Sequence, residues 1–207
     1  MEKYYARDYR RIANEKCSHA SGNLALIYLI YFLITIVLGG LSYIAIGAVA
    51  AFLVMGPLTL GFVYVMKDLF HNIIPSVERM FDGFHKFGDA FVLYLLKNIF
   101  ILLWSLLFVI PGIVKYFSYE MAYYILDDED GISANDAITK SRELMNGHKW
   151  ELFCLKLSYI GWLILCSLTL GILSLWVQPK IDAAKYAFYL HITGKDQKTE
   201  QPDIILE

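Results

Sequence analysis

The most restrictive feature of this sequence is an uncharged stretch of fifty residues. Between Cys17 and Met66 the chain contains no Asp, Glu, Lys or Arg, and most of its residues are apolar. A helix needs about 20 apolar residues to cross the roughly 30 Å hydrocarbon core of a bilayer. Fifty residues are too many for one such helix and fit two, with Gly39-Gly40 as the expected turn. The sequence therefore predicts an integral membrane protein.

The composition agrees and limits the classes of function. Hydrophobic residues make up 57% of the 207 residues and charged residues 18%, whereas a soluble domain has about 45–50% and about 25%. We expect one membrane domain over residues 1–194 and a polar cytoplasmic tail over 195–207. The three cysteines stand far apart, without the spacing of metal ligands, so no disulfide framework, metal site or other cofactor is predicted.

Two later segments match one another at a constant offset of 59 residues. Residues 91–97 and 150–156 share the pattern aromatic, any, Leu, aromatic, any, Leu, Lys. Two pairs of glycines follow the same offset: Gly88 with Gly147, and Gly112 with Gly171. The pattern predicts a repeated helical hairpin, in which two apolar helices are joined by a turn that contains glycine.

The predicted fold is an all-α integral membrane protein with about six transmembrane helices in three hairpins. Amphipathic interfacial helices are expected between the hairpins. The hairpins are expected over residues 22–68, 88–127 and 147–192. The six transmembrane helices are expected near 23–38, 41–66, 89–110, 112–127, 149–169 and 172–192. The interfacial helices are expected over 3–20, 76–88 and 133–146.

The connectors carry more specific signals. In the first amphipathic helix Tyr5, Tyr9, Ile12 and Ala13 share one face, which we expect to lie on anionic lipid headgroups; a solvated leader is the alternative. Ser133 is expected to cap the third amphipathic helix, with Asp136 as its partner. One face of that helix is apolar or small: Ala134, Ala137, Ile138, Ser141, Leu144 and Met145. The acidic run 127–130 before it lacks the ligand pattern of a calcium loop and is expected to be a solvated turn.

The distribution of positive charge predicts the orientation. With six helices, the Lys and Arg residues of the amino terminus, the connectors and the tail all lie on one side, which places both termini in the cytoplasm of a multi-pass protein of the cell membrane. A rival model with four helices treats 157–179 as one span and exports five basic residues within 115–156. Helices 112–127 and 172–192 carry charges, so whether they fully cross the bilayer is left open.

Five charged residues fall within apolar helices and are the candidate intramembrane polar residues. Lys97 and Lys156 each lie about 22 Å below a glycine turn at 1.5 Å per residue, so anchoring at the headgroups or an interhelical ion pair is expected. Glu120 and Asp182 lie about 12 and 16 Å below their turns, with Lys156 and Lys185 as expected partners of Asp182. Either these acids only form ion pairs or lie in the interface, or they line a cavity that binds a cation or polar solute.

Three sequence blocks resemble a known family. The blocks are residues 104–113 with Ile110-Pro111-Gly112-Ile113, residues 141–150 with Gly147-His148-Lys149-Trp150, and residues 168–172 with 175–177. They are similar to the bacterial multi-pass membrane family called domain of unknown function 975. Members often carry an aromatic residue directly after the first Gly-Asn, whereas this chain has Leu24 after Gly22-Asn23. The resemblance spans nearly the whole chain. It implies an integral bacterial membrane protein of unassigned activity and supplies no catalytic residue.

The function predicted from the sequence is that of a non-enzymatic structural or accessory membrane protein. The alternative is a small transporter or permeation unit for a cation or polar solute. An intramembrane enzyme is disfavoured, because the five histidines are scattered and form no catalytic motif. The expected partners are the lipid bilayer, anionic headgroups at the cytoplasmic face, and a membrane-protein partner or a second copy; nucleic acid is not expected.

Overall fold

The computed structural model describes residues 5–41, 45–107, 109–169 and 171–195. These residues form eleven α-helices and one 3₁₀ helix, and they contain no β-strand, so the prediction of an all-helical fold is confirmed for them. The helices are α1 (Ala6–His19), α2 (Ser21–Leu41), α3 (Ala45–Phe70), α4 (Val77–Phe81), the 3₁₀ helix (Asp82–Lys86), α5 (Phe87–Leu107), α6 (Val109–Ser118), α7 (Ala122–Asp128), α8 (Ala134–Leu144), α9 (Lys149–Leu157), α10 (Ile160–Leu168) and α11 (Ser174–Thr193). The predicted tail beyond residue 195 lies outside the described residues.

Three helical segments of the described chain are long and apolar enough to cross a membrane: Val49–Phe70, Val77–Leu106 and Lys149–Leu168. A fourth candidate is the pair formed by α1 and Ser21–Val37, which is bent by 96°. Neither α6 nor α11 qualifies, because α6 has only ten residues and α11 carries several charged residues. The length and composition of the helices thus support three or four spans, and the arrangement of six stays a prediction.

The predicted turns at glycines are partly wrong. Helix α2 continues through Gly39-Gly40 to Leu41, and the connection to α3 at residues 42–44 lies outside the described residues. Gly112 lies inside α6, where a Cβ atom would meet Ser105 Oγ at 2.2 Å. Gly112 therefore permits the close approach of α5 and α6 and does not form a turn.

The glycines paired by the sequence offset also differ in backbone conformation. Gly147 and Gly171 have φ angles of +89° and +85°, in the left-handed region that favours glycine. Their counterparts, Gly88 and Gly112, lie within helices α5 and α6. The internal repeat stays a prediction, and these glycines do not serve it in equivalent ways.

The apolar face of α1 packs on the protein. Tyr9 and Ala13 are buried, and the Tyr9 ring meets the Phe188 ring of α11 edge to face, with 5.4 Å between centroids. Tyr9 and Ala13 are therefore not available to lipid headgroups, and the position of this helix on headgroups stays a prediction. Arg7 and Arg11 remain exposed, and their contact with headgroups stays a prediction.

Helix α8 begins as the sequence predicts. Ser133 is its N-cap, and Ser133 Oγ accepts a hydrogen bond from the Asp136 backbone amide at 3.2 Å. The predicted face is buried at Ala134, Ala137, Ile138, Ser141 and Met145 and half-buried at Leu144. Burial of this face fixes α8 against the rest of the bundle.

The acidic run 127–130 is solvated, as expected, at Glu129 and Asp130, whose side chains are 47% and 92% exposed. The Asp127 and Asp128 side chains are largely covered, at 10% and 16%. Asp127, Asp128 and Asp130 accept from Lys67 at 2.7 Å, Lys195 at 2.6 Å and Lys86 at 2.6 Å. The hydrogen bond from Lys86 lowers the pKa of the Asp130 carboxyl. Basic side chains from distant segments converge on this run, so it joins connectors that the sequence places far apart.

Large exposed apolar side chains are concentrated in one half of each long helix. Buried residues such as Leu24 and Ile27 of α2, Leu60 and Met66 of α3, and Leu93 of α5 occupy the other half. The exposed set includes Leu33, Ile36 and Val37 of α2, Val49 of α3, Leu102, Leu103 and Leu106 of α5, Ile110 and Ile113 of α6, and Ile164, Leu165 and Leu168 of α10. Extensive apolar exposure marks a surface that contacts lipid or another protein, so these halves are compatible with insertion in a membrane.

The connector after α3 folds back onto α3 through two glycines. A Cβ atom on Gly61 would lie 1.8 Å from Met80 O, and one on Gly83 would lie 2.1 Å from Pro57 O. Because both obstacles are backbone atoms, neither can move aside without shifting a helix. These two glycines therefore hold α4 and the 3₁₀ helix against α3.

We expect Gly61→Ala to destabilise the protein by about 1–3 kcal/mol or more, the range found for overpacked sites. Gly161→Ala is the matched control, because nothing lies within 4 Å of its added Cβ and alanine favours a helix interior by about 0.5–1 kcal/mol. Thermal unfolding of the purified protein in detergent measures both. Equal unfolding midpoints for the two variants would contradict the close contact of α3 with Met80.

Candidate functional site

The structure brings the five candidate polar residues into one buried cluster. Glu120, between α6 and α7, is surrounded by Lys97 of α5, Lys156 of α9 and Lys185 of α11, and Lys185 also contacts Asp182. The Nζ-to-oxygen distances are 2.9 Å for Lys156–Glu120, 3.7 Å for Lys97–Glu120, 3.8 Å for Lys185–Glu120 and 2.6 Å for Lys185–Asp182. The cluster thus joins segments that are distant in sequence.

A break in the predicted helix 112–127 places Glu120 at the centre of the cluster. The chain turns at residues 119–121, so α6 ends at Ser118 and α7 begins at Ala122. The break is stabilised from α8, because the buried Ser141 hydroxyl donates to Ser118 O at 2.8 Å. A carbonyl left unpaired at a buried helix end needs such a donor.

Lys97 and Lys156 form interhelical ion pairs, the second of the two roles expected for them. They approach different oxygens of the Glu120 carboxylate, which shows that they lie at the same level of the bundle. Both ammonium groups also face aromatic rings, Lys156 at 4.4 Å from the Tyr116 centroid and Lys97 at 5.6 Å from that of Tyr123. Such contacts favour a cation that has left water.

Asp182 has different partners from those expected. Lys185 is one, as predicted, but Lys156 contacts Glu120 instead of Asp182. The Tyr28 hydroxyl donates to Asp182 Oδ2 at 2.5 Å, and Gln178 Nε2 donates to the same oxygen at 3.4 Å. Asp182 therefore links α11 to α2 through a charge-assisted hydrogen bond.

A cavity of about 230 Å³ lies beside the cluster. Its charged and amide-bearing wall consists of Lys97, Glu120, Gln178, Asp182 and Lys185, and Phe62, Val63 and Met66 of α3 supply apolar wall. Pockets for drug-sized ligands have volumes of about 300–1,000 Å³. This cavity is smaller and therefore fits a solute of only a few heavy atoms.

Sequence reasoning missed six further polar residues of the wall: Tyr28, Tyr31, Thr59, Tyr123, Tyr124 and Gln178. Thr59 and Gln178, as polar residues inside apolar segments, carried a signal that could have found them. The tyrosines carried none, because this sequence places tyrosine throughout its apolar segments and a tyrosine there is ordinarily read as apolar surface.

The arrangement is suited to holding a small polar solute. Charged and hydroxyl groups converge on one partly open cavity, and fixed donors and acceptors there can replace the hydration of a solute. Within the described residues no group of three or more His, Cys, Asp or Glu side chains is placed to hold a metal ion. The lysine-rich cluster also repels cations, so direct binding of a metal ion finds no support in the geometry.

We expect Glu120→Gln to destabilise the protein by about 3–5 kcal/mol, because removing one partner of a buried ion pair leaves the other uncompensated. Here three ammonium groups would remain. The measurement is the unfolding midpoint in detergent, compared with that of Glu143→Gln on the exposed face of α8.

The double variant Glu120→Gln/Lys97→Gln should recover part of this loss, because it removes one of the stranded charges. If the loss of stability in the double variant equals the sum of the losses in the two single variants, Glu120 and Lys97 are not energetically coupled.

The comparisons with known proteins give a family and no activity. The family model for proteins of unknown function DUF975 matches residues 1–118 and 108–196, which include the whole charged cluster. Comparisons with curated proteins and with solved structures gave no significant match. The chain belongs to the DUF975 family of proteins of unknown function.

Proposed function

We propose that this protein is a multi-pass protein of the cell membrane that binds a small polar solute in the cavity and lets it permeate. The observation that carries this proposal is the position of Lys97, Glu120, Asp182 and Lys185 on the wall of one cavity. The sequence alone favoured a structural or accessory role. The cavity supports the alternative, a small transporter or permeation unit.

The energetic cost of the cluster supports a role beyond packing. A charged residue at the centre of a membrane helix costs about 2.5–3.5 kcal/mol on insertion scales. Replacing a buried ion pair by well-packed apolar residues is often neutral or stabilising. A protein that needed only a stable bundle would therefore gain little from five charges in this place. Ionisable residues within membrane segments are functional candidates by default.

The proposed topology has six membrane helices in three hairpins, with both termini in the cytoplasm. The segments α2, α3, α5 and α9–α10 supply the apolar exterior, and α6–α7 and α11 return between them. The polar residues of the returning segments face the cluster: Glu120 pairs with three lysines, and Asp182 pairs with Lys185. Because these charges are compensated inside the bundle, the returning segments need not be apolar throughout.

A structural or accessory membrane protein without enzymatic activity is the second candidate. The amphipathic helices α1 and α8 and the ion pairs of the acidic run favour it, because they form a polar face on which a membrane partner can assemble. The structural role requires no solute in the cavity. The two candidates therefore differ in whether solute flux depends on the wall of the cavity.

Single cysteines on a background without Cys17, Cys154 and Cys166 test the topology. An impermeant thiol reagent added to intact cells should label Ile110→Cys and Ile172→Cys, since both positions lie next to the proposed outer turns. Asn135→Cys in α8 should be labelled only after the cells are opened. Labelling of Asn135→Cys from outside would contradict six spans and favour four.

Asp182→Asn tests the solute pathway. The asparagine keeps an acceptor for the Tyr28 hydroxyl but removes the near partner of Lys185, which then has only Glu120 at 3.8 Å. We therefore expect a lower unfolding midpoint, insertion in the membrane, and a flux that differs from that of the unaltered protein by about tenfold or more. Osmotic swelling of proteoliposomes measures the flux for anionic, cationic and neutral small solutes.

Asp89→Asn is the matched control for this experiment, because Asp89 is exposed in the first turn of α5. Its flux should equal that of the unaltered protein. If no solute moves faster than through protein-free liposomes, the permeation proposal is wrong and the structural role takes its place.

A further inference from the structure

We infer, on the basis of the proposed function, that the solute is a small anion of single negative charge. The structure assigns two groups to its binding, the Lys97 ammonium and the Tyr123 hydroxyl. Both lie on the cavity wall. The inference rests on three observations. They are the net charge of the cluster, the hydrogen-bonding groups that already have partners, and the volume of the cavity.

The charges of the cluster do not balance. Three ammonium groups, on Lys97, Lys156 and Lys185, face two carboxylates, on Glu120 and Asp182. The formal charge of the cluster is therefore +1, in a place where unpaired charge is costly. One bound monovalent anion neutralises the cluster, whereas a bound cation would raise the excess.

The acceptors of the cluster are engaged. Glu120 has ammonium groups near both oxygens, and Asp182 accepts from Tyr28 at 2.5 Å and contacts Lys185 at 2.6 Å. A cation or a donor-rich solute would have to displace these partners.

Two groups on the cavity wall can still donate a hydrogen bond to a solute. The closest carboxylate oxygen to Lys97 Nζ lies 3.7 Å away, beyond hydrogen-bond distance. The Tyr123 hydroxyl is buried and makes no hydrogen bond of standard geometry within the described residues, with Thr59 as its polar neighbour on the cavity wall. Buried polar groups are almost always satisfied, and an unsatisfied one points to a bound water or ion. The Lys97 ammonium can only donate and the Tyr123 hydroxyl is able to donate, so both can bind an anion.

The size of the cavity restricts the anion further. A volume of about 230 Å³ accommodates a halide, nitrate or a short carboxylate together with some water. The phosphate of a lipid headgroup has related chemistry but brings its glycerol and acyl chains with it. We commit to a free anion, and the experiment separates the two sources.

The experiment measures thermal unfolding of the full chain in a maltoside detergent free of phospholipid, at constant ionic strength. Sodium chloride, nitrate and acetate should raise the midpoint in a saturable way relative to sodium gluconate, because ligand binding to the folded state stabilises it. Exchange of sodium for potassium at a fixed anion should change nothing.

Variants then assign the site. Lys97→Gln should abolish the response to anions, and Tyr123→Phe should weaken the apparent affinity about tenfold, the usual effect of losing one charge-assisted hydrogen bond. Tyr123→Phe removes a hydroxyl that makes no hydrogen bond of standard geometry, so it should fold normally and decide the question if Lys97→Gln does not fold. Lys140→Gln, in the exposed pair with Glu129, is the matched control and should respond fully.

Each other outcome overturns a defined claim. Saturable stabilisation by a cation or a neutral solute, blocked by Asp182→Asn, would overturn the anion and leave the proposed permeation unit intact. Stabilisation by added phospholipid alone would overturn the free anion. An unchanged anion response in Tyr123→Phe would remove Tyr123 from the site. If no small solute of any charge stabilises the protein and none permeates, both proposals are wrong.

Discussion

The contact of one carboxylate with three lysines is the interaction on which the arrangement of helices depends. Glu120 is the common partner of ammonium groups from α5, α9 and α11. Each lysine is costly to bury alone, and their mutual repulsion adds to that cost. Glu120 offsets both effects at once, so the relative positions of the three helices are fixed by the need to keep it within reach. A shift of any one helix would strand a charge in an apolar bundle.

A second group of ion pairs differs from this cluster in its energetics. The group consists of Lys67–Asp127, Arg79–Asp68 and Lys86–Asp130. Their basic side chains are 33–38% exposed, against 14–23% for the lysines of the cluster, and access of water weakens an ion pair. These pairs set the register of the connectors but do not hold them. The connectors are held by apolar burial and by the close backbone contact of Gly61 with Met80. Charge is therefore decisive only where water is excluded.

The sequence predicted the helical class, most helix positions and all five members of the charged cluster, because charges within apolar segments are conspicuous. Their pairing was less accessible. The expectation that Lys156 pairs with Asp182 rested on the similar level of the two residues in a hairpin that turns at 170–171. It did not foresee that a break at 119–121, which no Gly or Pro marks, brings Glu120 beside Lys156. That break depends on the Ser141 hydroxyl from α8, a contact between residues far apart in sequence. Periodicity and spacing carry no information about a cap supplied from another helix.

The cluster also explains why the membrane helices are hard to count. A hydropathy criterion treats each segment as if it faced lipid alone, and it passes over α6 and α11 because they are short or charged. In this bundle Lys185 and Asp182 of α11 face Glu120 and Tyr28, and the apolar exterior is supplied largely by other helices. The polarity that disqualifies α11 as an isolated span is what forms the wall of the cavity. The proposed topology and the proposed solute site therefore rest on one feature, the compensation of charge between segments that could not be buried separately.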